Sequence, residues 1–147
     1  MEDALSQHPP STFADYVGDL QNHPRDRARR DHVVELASAL PSLPPIPDQG
    51  MRLYKWAAAI INEGKPERMD QAMSSLRGAL NFAPWWGDAY YRLSQTLELR
   101  GQYELAVKNL NYYLELRPPE AEARAARSHL LELQSKRSGT PNGAEPN

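Results

Sequence analysis

The sequence predicts an all-α protein assembled from antiparallel helical hairpins. Three observations carry this. Apolar residues recur at three- and four-residue intervals through most of the chain, the spacing of one helical face. The 13 prolines among 147 residues fall between those periodic stretches, where each one breaks a regular element. A mean hydropathy of -0.71 with 40% hydrophobic residues suits exposed helices around a modest core better than a closed barrel. The length fits one domain with enough chain to bury a core.

The elements follow in order. Residues 1–10 read as a flexible N-terminus. Ser11 or Thr12 can cap a short helix with Phe13, Tyr16, Val17 and Leu20 on one face. Asn22-His23-Pro24 ends it, and a second helix runs over about 25–40 with Ala28, Val33, Leu36, Ala37 and Leu40 near one face. Together, 11–40 form an N-terminal helical hairpin. Residues 41–47 hold four prolines and form a stiff, extended connector. From Asp48 the helical pattern is broken only by punctuation. Helices are expected over about 48–63, ending at Gly64, and over about 67–82, ending before Pro84. The next runs from Gly87 to Arg100-Gly101, glycine being a common C-terminal cap. A fourth covers 103–116, before Pro118-Pro119, and a fifth covers about 120–136 with Ala123, Ala126, Leu130 and Leu133 inward. The polar, Gly- and Pro-containing stretch 138–147 reads as a disordered tail.

Several function classes drop out. With no cysteine, disulfide scaffolds, thiolate zinc sites and cysteine nucleophiles are excluded. The longest apolar run, 56–61, is far too short for a membrane span. The acidic start lacks the basic-then-apolar order of a secretory signal, so a cytoplasmic location is expected. A net charge of -2 argues against a nucleic-acid or membrane-surface binder. The four histidines show no spacing that puts two ligands on one helical face, so neither a metal nor a cofactor is expected. No phosphate loop or nucleophile elbow occurs, and an enzyme is not expected. The densest basic run, 25–30, has Asp26 within it and Asp31 beside it, and reads as a solvated first helical turn rather than a binding patch.

Self-comparison gives the strongest signal. At an offset of 34, Trp56 falls on Tyr90, Ile60 on Ser94, Ala72 on Ala106, Leu76 on Leu110, Leu80 on Leu114 and Pro84 on Pro118. In this register, and over 88–118 above all, the chain resembles the tetratricopeptide repeat family, whose repeats carry aromatic, small and proline positions at these spacings. The resemblance implies an α-solenoid of tetratricopeptide-like hairpins, a fragment of a right-handed superhelix. It places two repeats at about 53–86 and 87–120 and a capping helix to about 137. Ala72, Ala106 and Ser94 would mark close helix contacts, and Trp56, Tyr90, Leu76 and Leu110 would fill the wedge around them. Ile60 occupies a normally small position, which implies a splayed first pair. Gly64 falls three residues before the position that Gly101 predicts, which implies a longer first turn.

A second self-match, 27–36 on 124–133 at an offset of 97, makes the N-terminal hairpin look like the closing half of another such array. Two arrangements fit. Either the hairpin packs on the first repeat as a third unit, or it is the remnant of a preceding domain. Of Trp85-Trp86, one ring is expected to staple the turn to the next helix; the alternative is an exposed anchor for a partner.

In the family, the first helix of each pair lines a concave groove that takes an extended peptide or a partner's helix. The resemblance places Tyr54, Ala57, Ala58 and Ile61 there from the first repeat. From the second come Asp88, Tyr91, Arg92, Gln95 and Glu98. It implies a non-catalytic protein–protein interaction module, an adaptor or assembly factor that binds a protein or peptide partner. The alternative is a structural or self-associating subunit or spacer of a larger complex.

Overall fold

The computed structural model describes residues 12–139. The tail at 140–147 and the N-terminal residues 1–11 lie outside the described residues. Among the described residues, seven α-helices follow one another: α1 (Phe13–Asn22), α2 (Arg27–Ser38), α3 (Asp48–Glu63), α4 (Met69–Phe82), α5 (Gly87–Leu99), α6 (Tyr103–Glu115) and α7 (Glu120–Gly139). A single 3₁₀ turn, Pro66–Arg68, precedes α4. Among the described residues there is no strand. Helix α7 runs to Gly139, two residues into the segment expected to be a disordered tail.

Local chemistry accounts for the boundaries. Thr12 caps α1 reciprocally: the Asp15 amide donates to Thr12 Oγ1 at 3.1 Å, and the Thr12 amide donates to Asp15 Oδ2 at 3.3 Å. Asp26 caps α2 by accepting from the Arg29 amide at 2.9 Å. Gly64 and Gly101, with φ of 69° and 74°, close α3 and α5 in the left-handed region that favours glycine. Arg117 takes the same conformation, φ 60°, after α6. It precedes Pro118, which discourages a further right-handed helical residue there.

Neighbouring helices pack pairwise: α1 on α2, α3 on α4, and α5 on α6. Helix α4 also packs on α5, and α7 closes the series against α6. Close approach depends on small residues. Ala57 and Ala72 are fully buried in the α3–α4 pair. In the α5–α6 pair, Ser94 Oγ donates to the Ala106 carbonyl at 2.7 Å. Around these contacts Leu76, Leu80, Tyr90, Leu93, Leu97 and Leu110 form one core. It extends to Ala126 and Leu133 of α7.

The register of the first pair differs from the expectation. The capping glycines are 37 residues apart, not 34, because the Pro66–Arg68 turn inserts three residues between α3 and α4. An offset of 37 puts Ala57 on Ser94 and Ile60 on Leu97, whereas α4 and α6 keep the offset of 34. Ile60 is therefore an ordinary buried core residue rather than a wedge at a small position. Trp56 does not fill that wedge; it is 52% exposed on α3.

The N-terminal hairpin lies mainly across the second helices of the two later pairs, α1 against α4 and α2 against α6. A second apolar cluster holds it, formed by Val17, Leu20, Val33, Ala37, Ala83 and Trp85. Trp85 is the staple: its Nε1 donates to the Pro44 carbonyl at 2.9 Å, and its ring meets Phe13 edge-on at 5.9 Å. This ties hairpin, connector and inter-pair turn together. Helix α2 has apolar contacts on two sides, because Val33 joins this cluster and Val34 joins the main core. Reading a single stripe missed Val34 and wrongly included Ala28, which is exposed.

Polar contacts reinforce the docking. Tyr90, fully buried, donates to the Pro84 carbonyl at 2.8 Å and accepts from Arg30 at 3.0 Å. Tyr112 donates to Asp31 at 2.5 Å, and Lys108 pairs with Asp31 at 2.9 Å. Burial opposes the Asp31 charge, but the hydrogen bonds from Lys108 and Tyr112 prevail and lower its pKa below the ordinary 3.8. A lowered carboxylate pKa contributes stability above the unfolded-state value, and that contribution is lost as pH falls through the folded-state value. Acidification from about pH 4 downward is therefore expected to destabilise the protein through this contact. Asp31→Asn should flatten that part of the stability–pH curve in urea titrations, and an unchanged curve would remove Asp31 from the account.

Candidate functional site

Of the groove residues expected from sequence, Tyr54, Ala58 and Ile61 come from α3, and Asp88, Tyr91, Arg92, Gln95 and Glu98 from α5. Asp88 and Gln95 are exposed, and the other six are half-buried. Ala57 does not belong with them, since it is fully buried against α4. The 37-residue offset from Ser94 was the signal that could have placed it.

The structure joins Arg92 to Tyr54 and backs Tyr54 and Tyr91 with two further rings. The Arg92 guanidinium lies 5.8 Å from the centre of the Tyr54 ring and so links α5 to α3. The other neighbour of Tyr54 is Trp86, with ring centres 4.6 Å apart. Tyr91 of α5 packs on Tyr113 of α6 with ring centres 4.8 Å apart. Of the paired tryptophans, then, Trp85 staples the fold, and half-buried Trp86 orients Tyr54 at this face.

At the far end, Glu98 is occupied by the last helix. It meets His129 Nε2 at 2.6 Å and accepts from Lys136 Nζ at 3.0 Å. Lys136 also lies 5.7 Å from the Tyr103 ring centre. Burial opposes the Glu98 charge, but the bonds from His129 and Lys136 outweigh it and hold the carboxyl below its ordinary range. Glu98 thus fastens α7 rather than standing free to contact a ligand. Sequence reasoning missed His129 and Lys136, and no spacing marks them, because their role depends on how α7 crosses α5.

The charge around the aromatic strip is mixed. Burial raises the Tyr113 pKa, and the nearby Asp88 and Glu122 carboxylates raise it further. The face therefore offers aromatic surface, one guanidinium and an acidic margin. Among the described residues, no three metal-ligating side chains converge. None of the described helices is long and apolar enough to cross a membrane. No protein-family model matches the chain, and no curated protein matches it.

Proposed function

We propose that this protein is a non-catalytic interaction module of the tetratricopeptide type, an adaptor or assembly factor. It would hold a partner's peptide or helix on the face of α3 and α5. The observation that carries this reading is the half-exposed set Tyr54, Arg92 and Tyr91, with Arg92 over the Tyr54 ring and Trp86 and Tyr113 behind the two tyrosines. The N-terminal hairpin packs mainly on the second helices instead. Aromatic residues and arginine are the side chains that most often dominate binding energy at interfaces. The small pairs Ala57–Ala72 and Ser94–Ala106 and the two capping glycines support the repeat assignment. A cytoplasmic location accords with this reading.

Arg92→Glu and Tyr91→Ala should each weaken capture of the partner by about 2 kcal/mol, on the order of 30-fold, while helicity and melting temperature stay nearly unchanged. Affinity capture from native lysate, wild type against variants, checks this. Undiminished capture by both folded variants would overturn it. The structural alternative draws on Trp56, exposed on α3. A concentration-dependent dimer in ultracentrifugation that Trp56→Gln abolishes would favour self-association instead.

A further inference from the structure

A cavity of about 620 Å³ opens where the turn of the N-terminal hairpin meets the second helices. Its floor is apolar, made by Leu80, Leu93, Leu97 and the Tyr90 ring, with Leu105 at the side. Its cationic side chains are Arg25, Arg27, Arg30, Arg77 and Lys108, against one lining carboxylate, Asp26. That imbalance stands out on a chain whose net charge is -2.

The local carboxylates offset only part of it, Asp31 taking up Lys108 and acting on Arg27. Asp26 is engaged by Arg29, whose amide and guanidinium donate to it at 2.9 and 2.5 Å. Asp31 is engaged by Lys108 and Tyr112. Among the described residues, half-buried Arg30 donates to neutral oxygens, Tyr90 Oη at 3.0 Å and the Pro24 carbonyl at 3.1 Å. Among the described residues, Arg25 and Arg77 have no carboxylate partner. Asn81 lines the same cavity.

We propose that this cavity binds a small organic anion with an apolar body, such as a ring or short acyl chain bearing a carboxylate or phosphate ester. The volume lies within the range of about 300–1,000 Å³ common for small-molecule sites, too large for an inorganic ion alone. Guanidinium groups suit carboxylate and phosphate because their planar forks can donate two parallel bonds. The apolar floor needs a ligand body that leaves water, so a fully hydrated anion would use only the rim. The sequence shows half of this site, the basic run 25–30. The fold supplies the other half, Arg77 from α4 and Lys108 from α6. The proposal is independent of the α3–α5 face.

The probe is 1-anilinonaphthalene-8-sulfonate, an aromatic anion followed by fluorescence on the full chain. Saturable one-to-one binding is expected, weakened at least tenfold in Arg25→Glu/Arg77→Glu and unchanged in Arg92→Glu. Competition by 1-naphthoate or 1-naphthyl phosphate, but not by neutral 1-naphthalenemethanol, is also expected, and the better competitor identifies the anionic group. No saturable binding, equal affinity in the double variant with its circular dichroism intact, or equal competition by the neutral alcohol would each overturn the proposal. Because Arg25 and Arg77 make no ion pair among the described residues, the double variant should fold. If it does not, Arg25→Gln/Arg77→Gln must show the same loss of affinity for the proposal to stand.

Discussion

Trp85→Ala is expected to remove about 3–5 kcal/mol of stability, the usual cost of deleting a large buried aromatic. The indole touches three parts of the chain at once. It meets Phe13 of α1, donates to the Pro44 carbonyl in the connector, and sits in the cluster with Val17, Leu20, Val33 and Ala37. Its removal should therefore loosen the hairpin more than the α3–α6 core, which is a separate cluster apart from Trp86 and Leu116 at its border. Hydrogen exchange reads this directly. Amides of residues 13–38 should lose protection well before those of α5 and α6. If all helices lost protection together, or if denaturant titration showed a change below about 1 kcal/mol, Trp85 would not be what holds the hairpin.

Ala57→Leu is the second large effect, at about 1–3 kcal/mol of destabilisation or more. Extra methylenes at a fully packed contact force neighbouring side chains and backbone to shift. Ala57 is fully buried in the α3–α4 pair, whose partner helix presents Ala72. Trp56→Gln, one residue away, should cost about 1 kcal/mol or less because that ring is half in solvent. The contrast tests the register. At the 34-residue offset, Trp56 would be the core residue and Ala57 an exposed groove position, and the two costs would be reversed. Paired urea titrations of the two variants decide between them.

The helices were legible because their signals are local. Thr12 and Asp26 cap, Gly64 and Gly101 terminate, and the prolines stop continuation, all through contacts within one turn of chain. The expected helix over 48–63 therefore agrees with α3 to the residue, and the helix limits over 87–116 agree within one. The first-pair register was harder to read. A single offset of 34 fits α4 and α6 but not α3, whose capping Gly64 lies three residues out of step with Gly101. The half-exposed strip is also only partly readable. Tyr54, Ala58 and Ile61 lie at spacings that share one face of α3, as Asp88, Arg92 and Gln95 do on α5, but the capture of Glu98 by His129 and Lys136 spans more than thirty residues.

The sequence by itself determined that the chain is helical, the number and order of the described helices, and their limits to within about three residues. Periodicity and punctuation suffice for that, because backbone hydrogen bonding is satisfied within each helix. Only the tertiary structure decided which surface the N-terminal hairpin covers, that Ala57 rather than Trp56 is buried on α3, and that Arg25, Arg27 and Arg30 line one cavity with Arg77 and Lys108. These depend on burying two apolar clusters against each other, and burial is set by side chains far apart in the chain. Proline shows the same division: sequence spacing alone marks Pro84 and Pro118 as ends of pairs, whereas the Pro44 carbonyl becomes an anchor only once Trp85 folds back to reach it.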